Sequence, residues 1–143
     1  MRILTYLTFI LLILTSCSET FEKIPENDFI GTWELNGRKM LNGIQVTIAE
    51  ENGKLVGRLS RLNENKYVQF FADSNDIWVP EINRISNYQF RLTEKKIGNE
   101  LFSLYGLQSS QEFKVEFLDK NTFGLSAGNS DPDKSEIKYR RIK

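Results

Sequence analysis

The sequence has no histidine and a single cysteine, Cys17, among its 143 residues. The missing histidine excludes His-containing zinc sites and the Ser-His and Cys-His pairs that activate many hydrolase nucleophiles. One cysteine excludes an internal disulfide. Nineteen basic and nineteen acidic side chains leave no net charge, so the electrostatic attraction that drives nucleic-acid binding is also missing. We therefore expect a protein that is not an enzyme, with no metal, no cofactor and no nucleic-acid partner.

Long apolar runs are scarce as well, and the one extended stretch covers residues 3–14 behind a positive charge. Its 12 residues are fewer than the roughly 20 that span a membrane, but they are typical of a secretion signal. The stretch ends in Leu14-Thr15-Ser16-Cys17, which resembles the lipobox of bacterial lipoproteins.

That resemblance implies that residues 1–16 are a lipoprotein signal peptide and that Cys17, acylated with palmitate-type chains, begins a linker over 17–28. The protein is then exported and anchored to the bacterial envelope. Ser18 stands where inner-membrane lipoproteins usually carry Asp, which favours the outer membrane, at its periplasmic face or at the cell surface. The alternative is a free or buried thiol after an ordinary signal.

The remaining sequence, residues 29–143, alternates apolar and polar side chains with a period of two, which predicts an all-β domain. The clearest unit is a hairpin over 44–60 around Asn52-Gly53, the dipeptide of a type I′ turn. This turn fixes a register that pairs Val46 with Leu59 and Glu51 with Lys54. The predicted strands are 29–36, 44–51, 54–62, 66–71, 76–80, 84–94, 100–107, 111–118, 122–127 and 136–142.

No helix is predicted to cover such a sheet, so its apolar face must close on itself. We expect an antiparallel up-and-down β-barrel of about 8–10 strands. The segment around Gly31 and Trp33 resembles the Gly-x-Trp opening strand of lipocalins and other calycins, and the segment before Arg141 resembles their closing strand. The resemblance implies that Trp33 packs under Arg141 or Arg140 at a closed end of the barrel. Alternation in the last strand favours Arg141.

Aromatic side chains and one loop are the candidate ligand contacts. Tyr67, Tyr88 and Tyr105 lie in predicted strands that can turn them inward to line a cavity, or to fill the barrel completely. The loop 36–43 is expected at the open end, together with 62–66, 80–84, 107–111 and 128–135. Its Met40 and Leu41 are suited to a lid, and Arg38 to an anionic head group.

Oxygen-bearing side chains over 129–135 are spaced like part of a calcium loop, but a solvated turn explains them as well. Glu50, beside the hairpin turn, is either a rim carboxylate for a ligand or simply solvated. The first functional hypothesis is a membrane-anchored, lipocalin-like barrel that binds a small hydrophobic or amphipathic molecule. The alternative is a filled barrel that serves as an envelope interaction module, such as an inhibitor, immunity or accessory protein. A carboxylate- or tyrosine-based enzyme is the remote third.

Overall fold

A computed structural model describes residues 22–142 of the chain. These residues form an all-β fold in which nine antiparallel strands make one sheet that closes almost completely into a barrel. The strands are β1 (Gly31–Asn36), β2 (Gln45–Glu51), β3 (Lys54–Arg61), β4 (Ile77–Val79), β5 (Glu81–Arg84), β6 (Gln89–Lys95), β7 (Ser110–Asp119), β8 (Thr122–Ser126) and β9 (Lys138–Arg141). The predicted up-and-down barrel is confirmed.

The order of the strands explains the closure of the barrel. The sheet runs β4-β3-β2-β1-β9-β8-β7-β6-β5, so the first and last strands of the chain are neighbours. The two edge strands, β4 and β5, are separated only by Pro80, whose missing N–H suits it to a break between two sheet edges. One bent segment therefore pairs with β3 through its first half and with β6 through its second half.

The hairpin of β2 and β3 has the register that the sequence predicts. Val46 pairs with Leu59 and Glu51 pairs with Lys54. Asn52 and Gly53 both adopt positive φ angles, 52° and 76°, as a type I′ turn requires.

Two segments predicted as strands are short helices instead: α1 (Lys66–Phe71) and α2 (Asn99–Leu104). The side chain of Asn65 caps α1 by accepting hydrogen bonds from the N–H groups of Tyr67 and Val68, which starts a helix where propensity alone favours a strand. Gly98, with φ 72°, precedes α2. Within the described part of the chain, no helix is long and apolar enough to cross a membrane.

The barrel has two different ends. The closed end carries the turns 52–53, 85–88 and 120–121, together with a 3₁₀ turn, Glu26–Phe29. The open end carries the longer segments 37–44, 62–76, 96–109 and 127–137. Four of the five loops predicted at the open end begin or end there. The placement of 80–84 at the open end was wrong, because these residues run toward the closed end. Residues 66–71 form a helix instead of a strand, so the strand that follows crosses the barrel in the opposite direction to the predicted one.

Candidate functional site

Aromatic side chains fill the closed end of the barrel. Phe29, Trp33 and Phe123 are fully buried, and their rings pack edge-to-face, with 4.7 Å between the ring centroids of Trp33 and Phe123. The Trp33 indole N–H donates to the carbonyl of Phe29 at 2.7 Å. Trp33 is thus part of a packed aromatic cluster in this half of the barrel.

Arg141 covers Trp33 from outside. Its guanidinium carbon lies 4.2 Å from the Trp33 ring centroid, and its two terminal nitrogens donate to the carbonyls of Ile30 and Asp28. A side chain on Gly31 would collide with this guanidinium. The predicted contact between Gly31, Trp33 and Arg141 is therefore present, and it is Arg141 rather than Arg140 that makes it.

A chain of buried polar groups lies in the other half of the barrel. The hydroxyl of Tyr139 donates to Glu94 Oε1 at 2.6 Å and accepts from the Trp78 indole N–H at 2.9 Å. The second carboxylate oxygen of Glu94 accepts from Arg38 Nη1, also at 2.6 Å. Glu94 is only 2% exposed and Arg38 is 19% exposed, so the network runs from the core to the surface at the open end.

Burial and the nearby Glu94 carboxylate raise the pKa of Tyr139 well above its usual value. The phenol therefore stays protonated and acts as a donor to Glu94. Arg38 supplies the opposite charge that a buried carboxylate requires, and its guanidinium also lies 4.6 Å from the centroid of the Phe113 ring. Both oxygens of Glu94 are thus engaged, and the guanidinium is held in one position.

A cavity of about 280 Å³ opens above this network. Arg38, Glu94 and Trp78 form its polar part. The remaining side chains that line it are mostly apolar or basic: Met40, Leu41, Lys95, Lys96, Ile97, Phe102 and Gln111. Three predicted ligand contacts, Arg38, Met40 and Leu41, therefore meet at one cavity at the open end.

Side-chain hydrogen bonds hold the loop 37–43 in place. Asn63 donates through Nδ2 to the carbonyls of Met40 and Asn42, both at 2.9 Å. Asn42 in turn accepts from the Gly37 N–H at 2.9 Å. The loop is therefore a fixed wall of the cavity rather than the predicted lid, and its exposed residue Lys39 does not line the cavity.

The three tyrosines predicted as ligand contacts do not line the cavity at the open end. Tyr67 lies on α1 and Tyr105 follows α2, where both side chains are largely exposed. Tyr88 lies in the turn between β5 and β6 at the closed end and is also exposed. Their predicted placement in strands was wrong, because Tyr67 lies in a helix, Tyr105 follows a helix and Tyr88 lies in a turn. Tyr139 is the tyrosine that reaches the site.

Exposed apolar side chains lie on the segments of the open end. We call this set the open rim; its members are the exposed side chains of Met40, Tyr67, Phe70, Phe71, Leu101, Phe102, Leu104, Tyr105 and Leu107. Phe70 is 80% exposed and Leu104 is 82% exposed. A groove of about 630 Å³ runs between the two helices, and Lys95 lines both this groove and the cavity.

Sequence reasoning missed Glu94, Trp78, Lys95 and Lys96. For Glu94 a signal was present: Phe90 and Leu92 point inward, and the same alternation carries the inward face on to Glu94. A charged residue at an inward position marks a buried polar site, whereas the basic and aromatic residues of the 95–102 segment carry no such pattern.

Two other candidates have ordinary surroundings. Glu50 is exposed beside the hairpin turn. Residues 129–135 form a bend that ends in a 3₁₀ turn, Pro132–Lys134, where Lys134 pairs with Asp131. Across residues 22–142, no group of three or more acidic side chains is arranged to hold a metal ion.

Comparison with known proteins adds no relative: no family model, no curated protein and no solved structure matches this chain. The class of protein that the fold defines is a small antiparallel β-barrel with one filled end and a cavity at the other. The lipocalin-like resemblance stays a prediction from Gly31, Trp33 and Arg141.

Proposed function

We propose that this chain binds a small amphipathic molecule at the open end of its barrel. The observation that carries the proposal is the cavity of about 280 Å³, where one fixed cation, Arg38, faces the apolar side chains of Met40, Leu41 and Phe102. A ligand with a polar end and an apolar body matches such a lining. The cavity is slightly smaller than the roughly 300–1,000 Å³ of most small-molecule sites, so the bound part of the ligand is short.

The packed interior supports a site at the mouth rather than deep in the barrel. Phe29, Trp33, Phe90 and Phe123 occupy the closed half without exposure. Above them, the network of Tyr139, Glu94 and Trp78 spans the interior, and replacing those hydrogen bonds would leave buried polar groups unpaired. A ligand therefore gains more by resting on the network than by displacing it.

A binding role also agrees better with this network than catalysis does. Glu94 is the carboxylate of the cavity wall, and its two oxygens are already bound to Tyr139 and Arg38. These two partners stabilise the charged carboxylate, and that lowers its tendency to accept a proton from a substrate. We propose no catalytic residue and no cofactor.

The second part of the proposal concerns the cellular location: export, acylation at Cys17 and attachment to the outer membrane. The support is the sequence of residues 1–18, because Cys17 lies outside the described residues.

Ile24 donates its N–H to the carbonyl of Asn87 at the closed end. Cys17 precedes Glu22 by five residues, about 18 Å of extended chain at most. An anchored protein would then hold its closed end near the membrane and present its open end to the surroundings.

A binding screen tests the proposed function. The full chain is screened against fatty acids, haem and isoprenoids, and the screen is repeated on Met40→Asp with Leu41→Asp. We expect binding by the wild type and its loss in this double variant, because two charges are placed against the apolar part of the ligand.

The matched control is Ile85→Asp with Leu118→Asp, two exposed apolar residues away from the cavity, which should leave binding unchanged. If no ligand binds the wild type, or if binding survives the charges at 40 and 41, the proposed site is wrong.

The open rim favours a second candidate function, docking of another envelope protein. The side chains of Phe70 and Leu104 are about 80% exposed, and exposed apolar patches often mark protein interfaces. Phe70→Ser with Leu104→Ser separates the two functions. Loss of co-purification with one defined envelope protein, with ligand binding intact, would favour the interaction module.

A further inference from the structure

The cavity carries an excess of positive charge. Arg38, Lys95 and Lys96 line it, while Glu94 is the one acidic side chain among its lining residues, so these side chains carry a net charge of +2. The whole chain is neutral, so this excess is local. A recess of one sign with apolar walls attracts ligands of the opposite sign.

Arg38 has one edge free to bind a ligand. Its Nη1 donates to Glu94, whereas Nε and Nη2 make no hydrogen bond within residues 22–142. A guanidinium has five donors in a fixed fork, and two neighbouring nitrogens match the two oxygens of a carboxylate or phosphate. Glu94 and the Phe113 ring hold the fork in place, so little side-chain entropy is lost when an anion binds.

The apolar part of the ligand has a defined place as well. Met40, Leu41 and Phe102 line the same cavity, and Lys96 lies 5.7 Å from the centroid of the Phe102 ring. At the roughly 30 Å³ that a water molecule takes in the liquid, the cavity holds about nine non-hydrogen atoms.

We propose that the ligand of this cavity is an acyl-chain amphiphile with an anionic head, bound by the free edge of Arg38 and assisted by Lys96. The proposal rests on the proposed function and names the chemical class of its ligand. An acyl chain of about eight carbons fills the cavity.

The test compares an acid with its alcohol. The acylated full chain is held in nanodiscs of uncharged lipid, with empty nanodiscs as the blank, and calorimetry measures the binding of octanoate and of 1-octanol. We expect octanoate to bind at least about tenfold more tightly, since charge-assisted hydrogen bonds are stronger than neutral ones. The preference should shrink in high salt.

Arg38→Gln should abolish the preference for octanoate. Because this change leaves Glu94 buried without its partner, Arg38→Gln with Glu94→Gln removes both charges and serves as the folded variant. Lys39→Gln is the matched control, since Lys39 is an adjacent exposed cation that does not line the cavity. It should keep the full preference.

The outcomes separate the two claims. Equal binding of octanoate and 1-octanol would overturn the anionic class while leaving the proposed function standing. Binding of neither would overturn the acyl-chain class, and it would remove the proposed function as well if the screen with fatty acids, haem and isoprenoids also finds no ligand. A loss in Lys39→Gln equal to that in the Arg38 variants would show that general surface charge, not Arg38, selects the anion.

A final arm identifies the source of the anion. Free dodecanoate is compared with vesicles of phosphatidylglycerol and with vesicles of phosphatidylcholine. Binding of free dodecanoate supports a monomeric acid as the ligand, and binding of phosphatidylglycerol vesicles alone supports a lipid head group. Equal binding to both kinds of vesicle, with none to free dodecanoate, would contradict an anion site.

Discussion

Tyr139 joins the two halves of the barrel interior. Its ring stacks on Phe123, with 5.0 Å between the ring centroids, and its hydroxyl links Trp78 to Glu94. One side chain thus completes the aromatic packing below and orients the carboxylate that holds Arg38 above. The position of the candidate anion site depends on this residue even though Tyr139 does not line the cavity.

The raised pKa of Tyr139 predicts a loss of stability in alkali. The unfolded phenol ionises near pH 10, whereas the folded phenol stays protonated to a higher pH because it is buried beside Glu94. The unfolded state therefore releases its proton first, and the free energy of unfolding falls as the pH rises above about 10.

Urea titrations at pH 8 and pH 11 measure this loss. In Tyr139→Phe the alkaline loss should be smaller than in the wild type, although this variant is less stable at pH 8 by about 1–3 kcal/mol because Glu94 and Trp78 lose a partner. An alkaline loss as large in Tyr139→Phe as in the wild type would contradict the assignment.

Trp33 is the corresponding residue of the closed end. Trp33→Ala should lower the free energy of unfolding by about 3–5 kcal/mol, because a fully buried ring and its hydrogen bond to Phe29 are lost. Tyr67→Ala, which removes an exposed ring, is the control and should change it little. If Trp33→Ala melts like the wild type and loses a ligand instead, Trp33 lines a binding site.

At the scale of elements, the hairpin of β2 and β3 was predictable and the two helices were not. Asn52-Gly53 specifies a turn through backbone angles that these two residues tolerate, so the register follows from local chemistry. Helix α1 depends on a cap from Asn65, and α2 has no buried side chain and thus no helical period in its apolar residues. In neither segment can the sequence pattern be distinguished from the alternation of a strand.

The hairpin turn gives the prediction at this scale. Gly53→Ala should destabilise the protein by about 1–2 kcal/mol, because alanine is strained at a φ of 76°. Nothing lies near the added methyl group, so the effect is confined to the backbone. Glu50→Ala, an exposed change beside the same turn, is the control for chemical denaturation. Equal stability of the two variants would contradict the type I′ turn.

At the scale of the whole molecule, the two ends of the barrel differ: one end is filled, and the other is open and carries exposed apolar side chains. The sequence predicted that the loop containing Arg38 lies at the open end of the barrel, because successive loops of an up-and-down barrel alternate between its two ends. It could not predict that Glu94 and Trp78 meet there, since β4, β6 and β9 are brought together only by barrel closure. Three cavity residues on one loop were found, and those contributed by distant strands were not.

The proposed attachment to a membrane is a property of the whole molecule, and it depends on Cys17. Cys17→Ser should release the protein from membranes or leave it as an unprocessed precursor, because no described helix is long and apolar enough to replace a lipid anchor. Labelling with a fatty-acid probe, followed by fractionation, measures this. A wild-type protein that carries no label at Cys17 and is wholly soluble would remove the predicted anchor.

The two tryptophans of the chain offer the most direct test of the central claim, that the open end binds the ligand. Trp78 lines the cavity, whereas Trp33 is buried at the closed end. In a titration of the ¹⁵N-labelled protein with octanoate, the indole N–H resonance of Trp78 should move with ligand concentration while that of Trp33 stays fixed. Movement of the Trp33 resonance with no change at Trp78 would contradict the account.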